Sequence, residues 1–257
     1  MPSVDAGRTT GWSDLVDELD QWERAGRVAV LWWRDDDAVT VTPQLGELLR
    51  LAGDVPLALA AIPALARPEL AAALQGRPQA AMLQHGWRHV DRAQHGKKSE
   101  YPEGRLASEV AAEIGAGRAR LKALFGRRAV AVLVPPWNRF ASEFLPLLCA
   151  NGIAGISRMV SPSRAALPPG PVAIDCHVDL VAWRDDRGFI GAAAALGGLV
   201  GHLRASRLAA TDSAGPIGIL THHLIMDGPT VAFLDRLILL TRTHAAARWA
   251  TAGELLR

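Results

Sequence analysis

The sequence predicts an α/β fold in which parallel strands alternate with helices. Short apolar runs of strand length alternate along the chain with longer segments that carry helical periodicity. Polar clusters follow four of the apolar runs, and α/β folds build their active sites at the carboxyl ends of parallel strands. The 257 residues, 49% of them hydrophobic, are enough for one large core. We therefore expect one domain over residues 1–257, in which a helix within 1–26 packs on the unit formed by 27–257.

Local signals set the expected boundaries of the elements. Ser13 is the expected cap of the first helix and Gly26 its end, and Thr42 with Pro43 is a typical helix start. Residues 91–104 lack any period and predict a long loop. The expected helices are 13–26, 42–53, a short one from Pro68, 105–124, 141–151, 192–207 and 233–243. The expected strands are 28–34, 55–61, 79–84, 129–134, 153–157, 172–175 and 217–220.

Three acidic residues, Asp35, Asp36 and Asp37, follow the first apolar run. Adjacent carboxylates repel one another and resist desolvation, so this strand end meets either water or a cation. The third strand is followed by His85 and His89, whose imidazoles can converge if the segment makes one helical turn. One carboxylate and two imidazoles at strand ends predict a metal site with open positions.

Composition argues against several classes of protein. The net charge is +2 and the arginines are scattered, which gives no electrostatic case for a nucleic-acid partner. No apolar stretch is long enough to span a bilayer, and the N-terminus does not have the pattern of a signal peptide. We expect a cytoplasmic protein without a membrane partner, whose two cysteines, Cys149 and Cys176, are reduced core thiols. The sequence does not indicate an oligomeric state.

An ordered set of motifs resembles the polysaccharide deacetylases that share the NodB homology domain, carbohydrate esterase family four. The resemblance covers roughly residues 28–257. The motifs, in the order of that family, are Asp36-Asp37, His85/His89, Pro135-Pro136-Trp137, the segment from Asp179 to Trp183, and Leu220-Thr221-His222. The resemblance implies a distorted (β/α) barrel with outer helices and a substrate that is a carbohydrate or another small molecule.

The resemblance also implies roles for individual residues. Asp37, His85 and His89 bind one divalent metal ion, with zinc as the first choice and cobalt, nickel or iron as alternatives. Asp36 is the general base toward a metal-bound water, and the Trp137 backbone N–H helps to stabilise the oxyanion. His222 protonates the leaving amine, with Asp179 as the candidate partner that sets its tautomer.

The register of the acidic pair stays open, because Asp35-Asp36 is the alternative to Asp36-Asp37. Under the preferred register, Asp35 supports the site from behind, paired to Arg34 or Arg139. The family often has an arginine where this chain has Val134, and Arg34 or Arg139 could supply that charge. The remaining candidates for contact with substrate or support of the site are Trp87, Pro136 and Trp183.

The predicted activity is hydrolytic removal of an N-acyl group, most simply N-acetyl, from an amino sugar or related amide. A deformylase or another C–N hydrolase acting on a small cytosolic molecule is the nearest alternative. A non-haem Fe(II) oxygenase also uses two histidines and one carboxylate. An inactive sugar-binding module is the third alternative, which Val134 and Ala182 keep open because both depart from the family's motifs.

Overall fold

The computed structural model describes residues 9–161, 170–209 and 215–257. Residues 1–8 of the expected N-terminal unit and most of the loop before 172 lie outside the described residues. The helices are α1 (Trp12–Arg24), α2 (Pro43–Ala52), α3 (Pro68–Ala73), α4 (Ala107–Phe125), α5 (Leu145–Ala150), α6 (Ala192–Leu208) and α7 (Gly228–Thr243). The strands are β1 (Ala29–Ala38), β2 (Leu57–Ala61), β3 (Ala80–His85), β4 (Ala129–Val134), β5 (Gly155–Ile156), β6 (Val172–Ala173), β7 (Val178–Asp179), β8 (Ile217–Thr221) and β9 (Ala247–Trp249).

Every strand pairing is parallel, and the sheet order is β6-β5-β4-β3-β2-β1-β8-β7, with β9 paired to the start of β1. The eight ordered strands form a curled half-barrel with helices on its outer side, because each parallel step needs a crossover connection. The predicted distorted (β/α) barrel is therefore confirmed. Asp36 lies near the carboxyl end of β1, His85 is the last residue of β3, and His222 directly follows β8. All three therefore lie at the carboxyl-terminal edge of the sheet.

The two faces of β1 face different environments because side chains alternate along a strand. Trp33 belongs to the large outer cluster that includes apolar residues of the helices. Trp32 belongs to a smaller inner cluster with alanines of β2 and β3, Leu83 and Val132. Both tryptophans are fully buried. Arg34 and Asp36 follow Trp32 at intervals of two and share its inner side.

One continuous segment, residues 172–180, connects the two ends of the sheet. Its first part hydrogen-bonds to residues 154–160 beside β5, with Ile174 N donating to Ile156 O at 3.0 Å. Its second part pairs with β8, where His177 N donates to Gly218 O at 2.7 Å. From the inner side of the half-barrel, Trp32 Nε1 donates to the Asp175 carbonyl at 3.3 Å. The segment therefore closes the half-barrel over the inner cluster.

Most predicted elements appear within a few residues of their expected positions, and the differences have local causes. Ser13 is not the cap of α1, because the helix begins at Trp12 and Asp14 accepts a hydrogen bond from Gly11 N at 2.7 Å. β1 continues through the three aspartates to Ala38 instead of stopping at 34. α7 begins at Gly228, since Asp227 caps it. The short strands β7 and β9 were not predicted.

Side-chain placement corrects one further expectation. Cys176 is buried, and burial raises the pKa of its thiol to about 12, but Cys149 is exposed and is not a core thiol. His177 accepts a hydrogen bond from Gly218 N at 3.0 Å, and burial lowers its pKa to about 4. In the described part of the chain, no helix has the length and hydropathy needed to cross a bilayer.

Gly218→Ala should destabilise the fold, because the closing segment leaves no room for a side chain at this position. A Cβ there would lie 2.8 Å from both the Asp175 carbonyl oxygen and the Cys176 Cα. Overpacking of this kind costs about 1–3 kcal/mol. Urea unfolding followed by tryptophan fluorescence measures the loss. Gly46→Ala in α2 is the control, because its Cβ meets nothing within 4 Å. Equal stability of Gly218→Ala and wild type would contradict the proposed close approach.

Candidate active site

A bulge near the end of β1 aims Asp36 and Asp37 into the same cavity. The pairing with β2 shifts between Asp35 and Ala38, where three residue steps on β1 oppose two on β2. Asp37 has φ 70°, a left-handed conformation that few residues other than glycine adopt. An extra residue in one strand bends it and redirects a side chain. Regular alternation would have placed Asp37 on the opposite face from Asp36.

The two histidines are brought together by a loop and not by the helical turn that their spacing suggested. His85 is the last residue of β3, and Gly86 and His89 have φ 57° and 58°. Glu100 is buried and accepts hydrogen bonds from Trp87 N at 3.0 Å and Arg88 N at 2.7 Å. Gly86 is required here, because a Cβ would lie 1.9 Å from a Glu100 oxygen.

Asp37, His85 and His89 each direct one potential ligand atom to a common point. These atoms lie within 4.8 Å of one another, and Asp37 Oδ1 is 3.2 Å from His85 Nε2 and 3.5 Å from His89 Nε2. His85 Nδ1 lies 2.9 Å from the Val134 carbonyl, and donation to that oxygen from a neutral ring would leave Nε2 available to bind a metal ion. Burial lowers the pKa of His89, which favours its neutral form.

Arg34 holds Asp36 on the inner side of the barrel. Arg34 Nε lies 2.9 Å from Asp36 Oδ1, and its NH2 group donates to Oδ2 at 3.0 Å. The same guanidinium donates to Ser157 at 2.7 Å and to Asn138 Oδ1 at 3.1 Å. Of the two arginines considered from the sequence, Arg34 is therefore the one that contacts Asp36. Arg139 donates to the Lys98 carbonyl at 2.9 Å.

Asp35 points to the opposite face and pairs with neither arginine, contrary to the sequence-based expectation. It accepts a hydrogen bond from Thr221 Oγ1 at 2.6 Å and lies 2.5 Å from His223 Nδ1. Both Asp35 and His223 are buried. Burial alone lowers the pKa of His223, but the hydrogen bond and charge of Asp35 outweigh it and raise that pKa. The pair formed by Asp35 and His223 connects β1 to the end of β8 behind the cavity.

His222 faces the cavity, and its Nε2 lies 3.9 Å from Asp36 Oδ2. Its Nδ1 is buried and has no hydrogen-bond partner among the described residues. Asp179 does not bond to His222 as expected; it accepts from Trp183 Nε1 at 2.8 Å and from Val181 N at 3.1 Å. The Trp183 ring packs edge-on against His222 with centroids 4.7 Å apart. Asp179 thus acts on His222 through Trp183.

The Pro-Pro-Trp turn brings strained backbone to the cavity. Trp137 and Asn138 have φ 55° and 59°, and the Trp137 ring lies 4.5 Å from His89. The described residues include five non-glycine positions with positive φ: Asp37, His89, Trp137, Asn138 and Arg187. All five line this one cavity. Such backbone costs of order 1–3 kcal/mol per residue and concentrates at functional sites.

The cavity has a volume of about 700 Å³. Its lining is Asp36, Asp37, His85, His89, Lys98, Trp137, Asn138, Arg139, Met159, Asp179, Trp183, Arg187 and His222. Two predicted contact residues are not in this lining. Trp87 borders a separate depression with Leu65 and Val90, and Pro136 is buried beneath Gly86. Asp35 and Arg34 lie behind the residues of this lining and do not border the cavity.

The residues at or behind the cavity that were not selected from the sequence include Lys98, Glu100, Asn138, Met159 and Arg187. Asn138 directly follows the Pro-Pro-Trp turn, which could have been used to select it. Lys98 and Glu100 lie in the long aperiodic loop, where position in the sequence does not predict which way a side chain points. Arg187 follows the Asp179–Trp183 motif by four residues and looks like one of many surface arginines.

Comparisons with known proteins identify the fold. No protein-family model and no curated protein matches the sequence. Among solved structures, a Mycobacterium smegmatis protein assigned as a polysaccharide deacetylase has a TM-score of 0.64 at 16% identity, covering 99% of this chain and 94% of its own.

Two further structures give the same result. The Bc1960 peptidoglycan N-acetylglucosamine deacetylase has a TM-score of 0.57 at 16% identity, covering 96% of both chains. A family 4 acetyl xylan esterase from Clostridium thermocellum, solved with a cobalt ion, has a TM-score of 0.53 at 14% identity, covering 88% of this chain and 89% of its own. The resemblance to carbohydrate esterase family four is confirmed at the level of the fold.

Glu100→Gln should lower stability by about 1–3 kcal/mol, because an amide can accept only one of the two loop N–H bonds and leaves the other unpaired. Urea unfolding monitors the change. Glu103→Gln is the matched control, since Glu103 is an exposed carboxylate of the same segment. If the two variants unfold at the same urea concentration, Glu100 does not fasten the loop that carries His89.

Proposed function

We propose that the protein is a metal-dependent hydrolase that removes an N-acyl group, most simply N-acetyl, from an amino sugar or related amide. The observation that carries the proposal is the arrangement of two groups in one cavity. Asp37, His85 and His89 converge on one point, and Asp36 and His222, suited to general base and general acid, lie beside it. A non-haem oxygenase has no need of that second pair.

The residues present fit a divalent metal ion. In the part of the chain that the structure describes, no donor forms a hydrogen bond to the buried Asp37 Oδ1, which is costly unless a cation balances that atom. The imidazoles around it, His85 first, outweigh the effect of burial and lower the pKa of Asp37, so it is ionised at neutral pH. One carboxylate and two imidazoles match the donors of catalytic zinc sites and leave positions open. When bound, the ion would supply Lewis-acid polarisation of the acyl oxygen and would acidify a bound water.

Asp36 is the proposed general base. Its carboxylate is almost fully buried, yet it lines the cavity and is held by two contacts from Arg34. The guanidinium fixes the orientation of the carboxylate and supplies the countercharge that a buried anion requires. Asp36 takes a proton from the attacking water as that water adds to the acyl carbon. The neighbouring Trp137 backbone N–H is the proposed donor to the oxyanion that forms.

His222 is the proposed general acid. Loss of the amine requires a proton on its nitrogen, and His222 Nε2 faces the cavity on the side of Asp36. The edge of Trp183, itself held by Asp179, restricts rotation of the His222 ring. His223 is unsuited to this role, because it is buried on the other face against Asp35.

Metal analysis and hydrolysis assays on two isosteric variants test the proposal. Asp37→Asn should lose the stoichiometric divalent metal that the wild type retains. Asp36→Asn should keep the metal and lose activity by ~10²–10⁴-fold, which is the usual contribution of a general base. The assays follow acetate or formate release from N-acetyl and N-formyl amino sugars.

Asp35→Asn is the control for charge and register. It should lower stability and leave metal content unchanged, because Asp35 faces His223 and Thr221. Loss of metal in Asp35→Asn with retention in Asp37→Asn would refute the ligand set. Absence of turnover on every N-acyl substrate, with metal bound, would favour the sugar-binding module.

The role of His222 predicts a dependence on the leaving group. An amine must be protonated to leave, whereas a nitrophenolate leaves without help. His222→Gln should therefore lower amide hydrolysis by ~10²–10⁴-fold and hydrolysis of 4-nitrophenyl acetate far less. Asp36→Asn should impair both reactions alike. Equal losses on amide and activated ester in His222→Gln would show that this histidine does not act as the acid.

A further inference from the structure

Three cationic side chains line the cavity without a carboxylate partner among the described residues. Lys98 comes from the loop before α4, Arg139 follows the Pro-Pro-Trp turn, and Arg187 follows the Trp183 segment. None of the three forms a salt bridge in the described part of the chain. Lys98 and Arg187 are exposed, Arg139 is half-buried, and Lys98 Nζ lies 6.0 Å from the centroid of the Trp137 ring. Three separate loops therefore bring positive charge without a carboxylate partner to one cavity, while the whole chain carries a net charge of only +2.

The carboxylates of the cavity do not explain these cations, since each is already engaged. Asp36 is paired with Arg34, and Asp37 lies between His85 and His89. Asp179 accepts the Trp183 indole N–H and the Val181 N–H. A divalent ion at Asp37 would add further positive charge. A neutral amide would give the three cations no anion to bind. With a divalent ion at Asp37, the positive charges of the lining would outnumber its three carboxylates, which favours an anionic ligand.

The positive lining continues beyond the cavity. A neighbouring hollow of about 750 Å³ shares Asn138 and Arg139 with it. That hollow is also bordered by Arg92, His95, Lys97, Arg105 and Arg158, with Glu103 as its one carboxylate, and Arg158 Nε lies 3.9 Å from Asp175 Oδ1. Glu113 already pairs with Arg92 and Arg105, whereas Lys97 is exposed and forms no ion pair among the described residues. Arg139 thus stands where the two hollows meet.

We propose, on the premise that the hydrolase function holds, that the acyl-amide substrate carries an anionic group, a carboxylate or a phosphate, which Lys98, Arg139 and Arg187 bind. Guanidinium groups suit both anions, because their planar N–H donors match two oxygens at once. Arg139 is oriented by its hydrogen bond to the Lys98 carbonyl, which leaves the remaining N–H groups for the ligand. The cations thereby select among amino sugars that share the same N-acyl group.

Equilibrium binding of deacylated amino sugars to the wild-type, metal-containing protein tests this specificity. These sugars have no amide bond, so the protein cannot hydrolyse them during the measurement. The probes are glucosamine, glucosamine 6-phosphate, glucosamine 1-phosphate and the 6-carboxylate analogue, measured by calorimetry. At least one anionic probe should bind about tenfold or more tightly than glucosamine, as charge-assisted hydrogen bonds imply. Added salt should shrink that ratio. The phosphate and carboxylate arms show which anion is preferred.

Variants separate a built anion site from general surface charge. Arg139→Gln and Arg187→Gln should each reduce the ratio of anionic to neutral affinity several-fold, and Lys98→Gln does the same without removing the Arg139 bond. Arg184→Gln is the control, because Arg184 is exposed in the same loop as Arg187 and lies outside the cavity lining. The proposal is overturned if glucosamine binds as tightly as every anion, or if Arg184→Gln reduces the ratio as much as Arg139→Gln.

Turnover of the corresponding N-acetyl sugars distinguishes a failure of the anion preference from a failure of the hydrolase function. Hydrolysis of neutral and anionic amides with equal kcat/KM, together with equal binding of their amines, leaves the hydrolase intact and refutes the anion preference. Selective binding of anions without hydrolysis of any amide retains the anion site and refutes the hydrolase.

Discussion

The buried pair between Arg34 and Asp36 is the interaction on which the rest of this site depends. A guanidinium cannot lose its charge at any accessible pH, so its complete burial requires an anion and several acceptors close by. Asp36, Ser157 and Asn138 supply them, from β1, from the end of β5 and from the Pro-Pro-Trp turn. One side chain therefore links three elements that border the cavity, and its loss would leave Asp36 as an uncompensated buried charge.

Alternation along β1 separates two sets of polar chemistry by the thickness of one strand. The inner face carries Arg34 and Asp36 toward the cavity, and the outer face carries Asp35 toward Thr221 and His223. The bulge then returns Asp37 to the inner side. Three consecutive aspartates thus have three different surroundings. A uniform acidic strand end would concentrate repulsion, whereas this arrangement gives each carboxylate its own partners.

The fold was accessible from the sequence because apolar runs and helix signals are local. The order of the site motifs was accessible for the same reason, and the structure places Asp36, Asp37, His85, His89 and His222 around one cavity. The contacts between the site side chains could not be predicted, because they depend on the direction in which each side chain points. Nothing local shows that Asp37 adopts a left-handed conformation or that Trp87 turns away from the cavity. Glu100 supports a loop through the backbone N–H groups of Trp87 and Arg88, which are 13 and 12 residues distant and leave no mark in the sequence.

The central position of β1 has a consequence for how the chain reaches its native state. This strand is made among the first forty residues, yet its partners β8 and β9 lie at 217–221 and 247–249. Pairings of such large sequence separation form slowly, because loop closure must precede them. During synthesis, the edge of β1 that pairs with β8 stays open until residues 217–221 have emerged. The nascent protein therefore exposes an aggregation-prone strand edge until β8 has formed, and β9 then completes that edge at the start of β1.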